Sequence, residues 1–160
     1  MGEFKGIKIR FAEVSAFSYA TEDESKVIDA ALNVIGRELV DSTPQIRKLT
    51  GHYNDPILSI TFKITHKAER MFMKLIGRLS TLNANKIMEE VGERTDPAGN
   101  FYLRLDKQKA YQGVLVPNES DPIRVKIRFN ISYSVDPVEA ISTYISKSLS
   151  DKRTIEGNMG

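Results

Sequence analysis

Arg124, Lys126 and Arg128 recur at every second position of the run Ile123-Arg124-Val125-Lys126-Ile127-Arg128-Phe129-Asn130-Ile131-Ser132-Tyr133-Ser134. In an extended strand successive side chains point to opposite faces, so the three cations form one row while Ile123, Val125, Ile127, Phe129, Ile131 and Tyr133 form the other. A row of fixed cations has one obvious chemistry, the binding of anions such as phosphates. Lys8 and Arg10 interleave in the same way with Ile7, Ile9 and Phe11, and Tyr102 and Arg104 alternate with Phe101, Leu103 and Leu105. Lys63 follows Ser59 and Thr61 on the polar side of a strand whose other side is Leu58, Ile60, Phe62 and Ile64. Sheets that bind RNA combine cations for phosphates with aromatic rings on which unpaired bases stack, and Tyr102 beside Arg104 has that composition. Taken alone, the alternation favours a solvated face or a subunit contact over nucleic acid.

Other chemistries find little to work with. The two histidines, His52 and His66, have no metal-ligand spacing and no Ser/His/Asp arrangement around them, and there is no cysteine. No Gly-rich phosphate loop of either common kind is present. The acidic runs Glu22-Asp23-Glu24 and Glu89-Glu90 lie at helix positions, where solvation and the helix dipole account for them. No catalytic residue, metal site or cofactor is therefore expected. With 160 residues, 41% hydrophobic and 28% charged, the chain is one ordinary globular domain, and its net charge of +2 makes the arrangement of charge more informative than its sum. No apolar run approaches the ~20 residues of a membrane span, and Met1 to Lys5 lacks the apolar core of a secretory signal, so a cytoplasmic location is expected.

The elements that must position these residues follow from periodicity. The alternation from Ile7 slips at Ala12 to Tyr19, as a bulge or bend would require. Thr21-Glu22-Asp23-Glu24 has the pattern of a capping box, with Thr21 as N-cap of a helix carrying Ile28, Ala31, Leu32, Ile35 and Leu39 on one stripe. Asp41-Ser42-Thr43-Pro44 ends it. Strands are expected over 45–51 and 57–65, joined by the turn-rich His52-Tyr53-Asn54-Asp55-Pro56; the His52-Tyr53 pair would stack on a base or plug its own loop. Met71, Phe72, Leu75, Ile76 and Leu79 mark a second helix from Lys67, and a shorter one is expected over 83–91. After a strand over 100–106, Val114 to Val116 is a candidate minor strand. Asp136-Pro137 opens a last helix with Val138, Ile141, Ile145 and Leu149 on its buried stripe. Residues 151–160 show no periodicity and are expected to form a loose tail. The fold class is α+β: a single domain over 6–150, a two-layer sandwich with a mixed or mainly antiparallel sheet and amphipathic helices on one face.

Several motifs carry a family resemblance. Thr21-Glu22-Asp23-Glu24 with Lys26-Val27, Gly51-His52-Tyr53-Asn54-Asp55-Pro56-Ile57, Gly99-Asn100-Phe101-Tyr102-Leu103-Arg104, Asp106-Lys107-Gln108-Lys109-Ala110-Tyr111 and Asp121-Pro122-Ile123-Arg124-Val125, in that order, resemble an archaeal family described as a predicted RNA-binding subunit of the archaeal exosome. The resemblance spans roughly residues 6 to 150. It implies a fold similar to a 5S-rRNA-binding ribosomal protein, an accessory RNA-binding role without catalysis, and RNA and exosome core subunits as partners. On that reading Asp106-Lys107-Gln108 is a polar corner where Lys107 meets a phosphate and Gln108 a base edge or a backbone group; Asp106 and Gln108 capping a turn explain it equally well. The RNA-contacting set is then Lys8, Arg10, Tyr102, Arg104, Lys107, Gln108, Arg124, Lys126 and Arg128. The alternative is a structural module that forms a homodimer or docks on a larger complex through the same face.

Overall fold

In a computed structural model of the protein, which describes residues 7–159 and side chains as far as residue 151, five strands form one antiparallel sheet in the order β2-β3-β1-β5-β4. The strands are β1 (Ile7–Tyr19), β2 (Gln45–Thr50), β3 (Pro56–Ile64), β4 (Asn100–Leu105) and β5 (Ile123–Ile131). The helices are α1 (Glu24–Ile35), α2 (Ala68–Arg78), α3 (Thr81–Glu89), the single-turn α4 (Val91–Arg94), α5 (Lys107–Tyr111) and α6 (Pro137–Met159). The expected α+β two-layer sandwich is the observed one, and its sheet is antiparallel throughout. No helix among the described residues is long and apolar enough to cross a membrane, and none of their His, Asp and Glu side chains cluster as a metal site.

The long β1 lies at the centre, and a bulge divides it into two registers. Ile9 pairs with Phe129 and Phe11 with Arg128, so Arg10 is an extra residue. An inserted residue reverses the in–out alternation of everything after it. Before the bulge the odd position Ile7 is buried; after it the even positions Ala12, Val14 and Ala16 are wholly buried. Phe11, expected on the core side with Ile7 and Ile9, turns instead to the open face, and Glu13, Ser15 and Phe17 follow it.

One aromatic cluster locks the helical layer to the sheet. Phe72 of α2 meets Phe101 at 5.8 Å, Phe129 at 5.9 Å and Tyr144 of α6 at 6.1 Å between ring centroids. The edge-to-face contacts to Phe101 and Phe129 let the positive rim of one ring meet the negative face of another. α1 contributes Val27, Ala30, Ala31, Val34 and Ile35, a stripe rotated from the expected one so that Ile28 and Leu32 lie at its margin.

Local signals misplace four features. Asp23, not Thr21, caps α1: its Oδ1 accepts from Ser25 N at 3.0 Å, and Glu22 is turned back toward Tyr19 N and Lys107 instead. The corner after β4 forms the helix α5 rather than a turn, with Asp106 capping it as expected and accepting from Lys109 N at 2.8 Å. Residues 114–116 form no strand, only a flank of the single bridge between Leu105 and Pro117. Asp151 onward continues α6 to Met159 rather than leaving the helix as a loose tail.

Candidate nucleic-acid interface

The antiparallel registers assemble the open face row by row. Arg104 of β4 stands directly opposite Arg124 of β5, which stands opposite Ser15 of β1 and, beyond it, Thr61 of β3. In the next row Tyr102, Lys126, Glu13 and Lys63 lie side by side across the same four strands. A third row holds Asn100, Arg128 and Phe11. Lys8, opposite Asn130, extends the face toward one end of β1, and Arg10 lies exposed at the bulge. Lys8, Arg10, Lys63, Tyr102, Arg104, Arg124, Lys126 and Arg128, far apart in the sequence, thus belong to one surface.

Two phenylalanines released by the bulge give this surface its apolar element. The guanidinium carbon of Arg124 lies 4.4 Å from the Phe17 ring centroid, and Nζ of Lys63 lies 4.5 Å from that of Phe11. Each cation is drawn to the electron-rich face of its ring, a contact worth roughly 0.5–1 kcal/mol at an exposed site. The alternation alone places neither phenylalanine on the face; the slip after Phe11 is the sequence feature that marks them.

The third aromatic is held by hydrogen bonds. The Tyr102 hydroxyl donates to Asp96 Oδ2 at 3.0 Å, and Asn100 Nδ2 donates to the same oxygen at 3.0 Å. Asp96 Oδ1 accepts from the backbone N–H groups of Asn100 and Ala98. Burial pushes the Asp96 carboxyl up, but the bonds from Asn100, Tyr102 and Ala98 together outweigh it and leave its pKa below the ordinary aspartate value. Burial, then the bond to Asp96, raise the Tyr102 phenol. Asn100 Oδ1 in turn accepts from Arg128 Nη1 at 3.4 Å.

Charge on the face is largely uncompensated. Glu119 pairs with Arg104 at 3.3 Å and lies 3.8 Å from Arg94, whose main partner is Glu90 at 2.8 Å. Among the described residues, Arg124, Lys126 and Lys63 have no carboxylate partner within 4.0 Å. Arg104 and Arg124 are directly opposite on neighbouring strands, an arrangement of like charges that favours an anionic ligand; Arg104 is partly offset by Glu119 and Arg124 is packed over Phe17. A hollow of ≈ 300 Å³ opens there, lined by Glu13, Ser15, Tyr102, Arg104, Arg124 and Lys126 above Leu103 and Val125.

Lys107 and Gln108 stand outside this surface. Lys107 is buried: its Nζ donates to Phe17 O at 2.8 Å, Asp121 Oδ2 at 2.8 Å and Glu22 Oε1 at 3.1 Å, and lies 5.3 Å from the Tyr19 ring centroid. Its ammonium is engaged internally, so the expected phosphate contact is not available to it. Gln108 is exposed, but on α5 beside the start of α1, where it shares a shallow hollow with Asp23, Lys26 and Tyr111. His52 and Tyr53 meet edge to face at 5.0 Å at the tip of the β2–β3 hairpin, with Tyr53 82% exposed, so this loop does not fold back as a plug.

A family model described as RNA binding matches residues 12–129. The chain belongs to this RNA-binding family. The matched stretch contains Glu13, Phe17, Lys63, Tyr102, Arg104, Arg124, Lys126 and Arg128, and so most of the open face, but not Lys8 or Arg10. An RNA-binding protein of Pyrococcus abyssi is 35% identical over 120 residues, covering 72% of this chain and 78% of that protein. A solved structure from Methanothermobacter thermautotrophicus superposes with a TM-score of 0.70 at 33% identity, covering 88% of this chain and 98% of its own. One from Archaeoglobus fulgidus gives 0.72 at 28% identity, covering 88% and 99%. The same fold is therefore present in other archaeal proteins.

Proposed function

We propose that the open sheet face binds single-stranded or structured RNA, with Arg104, Arg124, Lys126, Arg128, Lys63, Lys8 and Arg10 contacting phosphates and Phe11, Phe17 and Tyr102 offering surfaces for bases. The observation that carries this reading is the directly opposed Arg104–Arg124 pair, with Lys126 beside it and no carboxylate on Arg124 among the described residues. Such an arrangement favours an anionic ligand, and a phosphate is suited to bridge two arginines. Membership of the RNA-binding family supplies the nature of the anion. The role is that of a non-catalytic accessory protein, and the resemblance in the sequence motifs points to the archaeal exosome as the assembly it serves.

Self-association through the same face is the weaker reading, since a two-fold interface would set one cationic surface against its own copy. Nitrocellulose filter binding against RNA and duplex DNA at two salt concentrations tests the main proposal. If about five phosphates are neutralised, log affinity for single strands falls with log salt at a slope near −3.5, from roughly −0.7 per contact. The triple variant Arg124→Glu, Lys126→Glu, Arg128→Glu loses most of that affinity and most of the slope while remaining folded. Unchanged affinity in that variant rules this face out. Co-purification of exosome core subunits with the tagged chain, surviving ribonuclease treatment, tests the assembly.

A further inference from the structure

We propose that the hollow at the centre of the open face takes a guanine base of single-stranded RNA, and that the Glu13 carboxylate is the group that reads it. This rests on the RNA-binding reading above and deepens it. Glu13 is the one carboxylate lining a hollow otherwise bordered by Arg104, Arg124, Lys126 and Tyr102. It is half-buried, stands in register between Lys63 and Lys126, and forms an ion pair with neither within 4.0 Å. On a surface that binds only phosphates this position is unfavourable, because a carboxylate repels them. An ionised carboxylate accepts hydrogen bonds and donates none, so its ligand must present N–H groups.

Among the four bases, guanine alone sets two N–H donors side by side on its Watson–Crick edge, at N1 and the N2 amino group, which match the two oxygens of a carboxylate. Adenine and cytosine pair one amino donor with a ring-nitrogen acceptor, and uracil flanks its one N–H with two carbonyls, so each meets Glu13 with at least one repulsive contact. Guanine O6 lies next to N1, and Lys126, next to Glu13 in the same row, is placed to donate to it. Tyr102 and Glu13 flank β5 from β4 and β1, two strand spacings or about 9–10 Å apart, which leaves room for a purine lying across β5. The Tyr102 ring, fixed through its hydroxyl to Asp96, provides an aromatic surface beside the base, while Arg104 and Arg124 remain available to its phosphates.

The test is fluorescence anisotropy of the full chain with labelled short oligouridines carrying one central guanosine, inosine or adenosine. Inosine keeps N1–H and O6 but lacks the N2 amino group. The wild-type protein is expected to bind the guanosine oligomer about ten-fold more tightly than the inosine one, the scale of one hydrogen bond to a charged group, and to bind the adenosine one no better than inosine. Glu13→Gln removes a negative charge from the face, so it binds the inosine and adenosine oligomers as tightly as before or more tightly, while the guanosine-to-inosine ratio collapses toward one. A carboxylate with only an electrostatic role would tighten all three equally and leave the ratio intact, which overturns the proposal. Equal wild-type affinity for the three oligomers also overturns it while leaving the RNA-binding face standing; no affinity for any of them removes both. Should Glu13→Gln fail to fold, the wild-type oligomer series still decides.

Discussion

The guanidinium of Arg124 lies over the ring of Phe17, 4.4 Å from its centroid, on the open side of the sheet. Phe17 is on that side because a bulge at Arg10 reverses the alternation of β1, and Arg124 reaches it because β5 is the neighbour of β1. The contact holds a cation and a flat apolar surface together, with no carboxylate within 4.0 Å of the cation among the described residues. That combination serves a ligand bearing both phosphates and bases.

Replacing Phe17 by Leu keeps an apolar, half-buried side chain but removes the π-face. RNA affinity is expected to fall several-fold, on the scale of ~1 kcal/mol, toward the lower end of the 1–3 kcal/mol of a base stacked on an aromatic ring. The thermal midpoint should move little. An anisotropy titration beside a melting curve checks both, and unchanged RNA affinity removes Phe17 from the contact surface.

Arg104→Gln should separate stability from function. It removes the like charge opposite Arg124 at the loss of an exposed ion pair to Glu119 that contributes little. The free protein is expected to be as stable as the wild type or stabilised by roughly 0.2–1 kcal/mol, more so at low salt, while RNA affinity drops. Urea unfolding at two ionic strengths measures this, and a clear loss of stability contradicts the account of the paired arginines.

Lys107→Met is expected to destabilise the fold without touching RNA contacts directly. The ammonium joins Phe17 O, Glu22 and Asp121, tying the end of β1, the approach to α1 and the approach to β5 to the start of α5. Both carboxylates keep partial access to water, so the expected loss is about 1–3 kcal/mol rather than that of a fully buried broken pair. The check is denaturant unfolding together with RNA titration under conditions where the variant is folded; RNA affinity reduced in the folded variant returns Lys107 to the binding surface.

Asp96 gives the protein a signature at acid pH. Its folded-state pKa lies below the unfolded value, so its contribution is fully present above about pH 4, the ordinary aspartate range, and is lost as pH falls through the folded value. The stability difference between wild type and Asp96→Asn should therefore be constant near neutrality and shrink below that range. Unfolding curves of both proteins from neutral to acid pH test the sign; a difference that grows on acidification contradicts it.

Phe72→Ala opens a cavity where four rings meet, and about 3–5 kcal/mol of stability is expected to go with it. Calorimetry checks the loss, and a change of less than 1 kcal/mol would show that the surrounding rings collapse into the space.

What the chain's order of residues determined by itself is local. The two-residue period of Ile123 to Ile131 and Asn100 to Leu105 put Arg124, Lys126, Arg128, Tyr102 and Arg104 on the solvent side of their strands, and the structure keeps them there. Asp136-Pro137 started α6 as such a pair should, with Asp136 Oδ2 accepting from Glu139 N at 3.0 Å. Periodicity and caps are decided within a few neighbouring residues, which is why they can be read directly. Tertiary structure decided the rest. The extra residue at Arg10 becomes a bulge only when β5 pairs with β1, and that pairing sends Phe11, Glu13 and Phe17 outward. Thr21 has the better local capping pattern, yet Glu22 turns toward Lys107, 85 residues away in sequence, and Asp23 takes the cap. Lys107 reads as an exposed cation until a backbone carbonyl from β1 and two carboxylates from separate loops converge on it. Register and strand order are set by which faces bury together, a long-range property that no single segment carries.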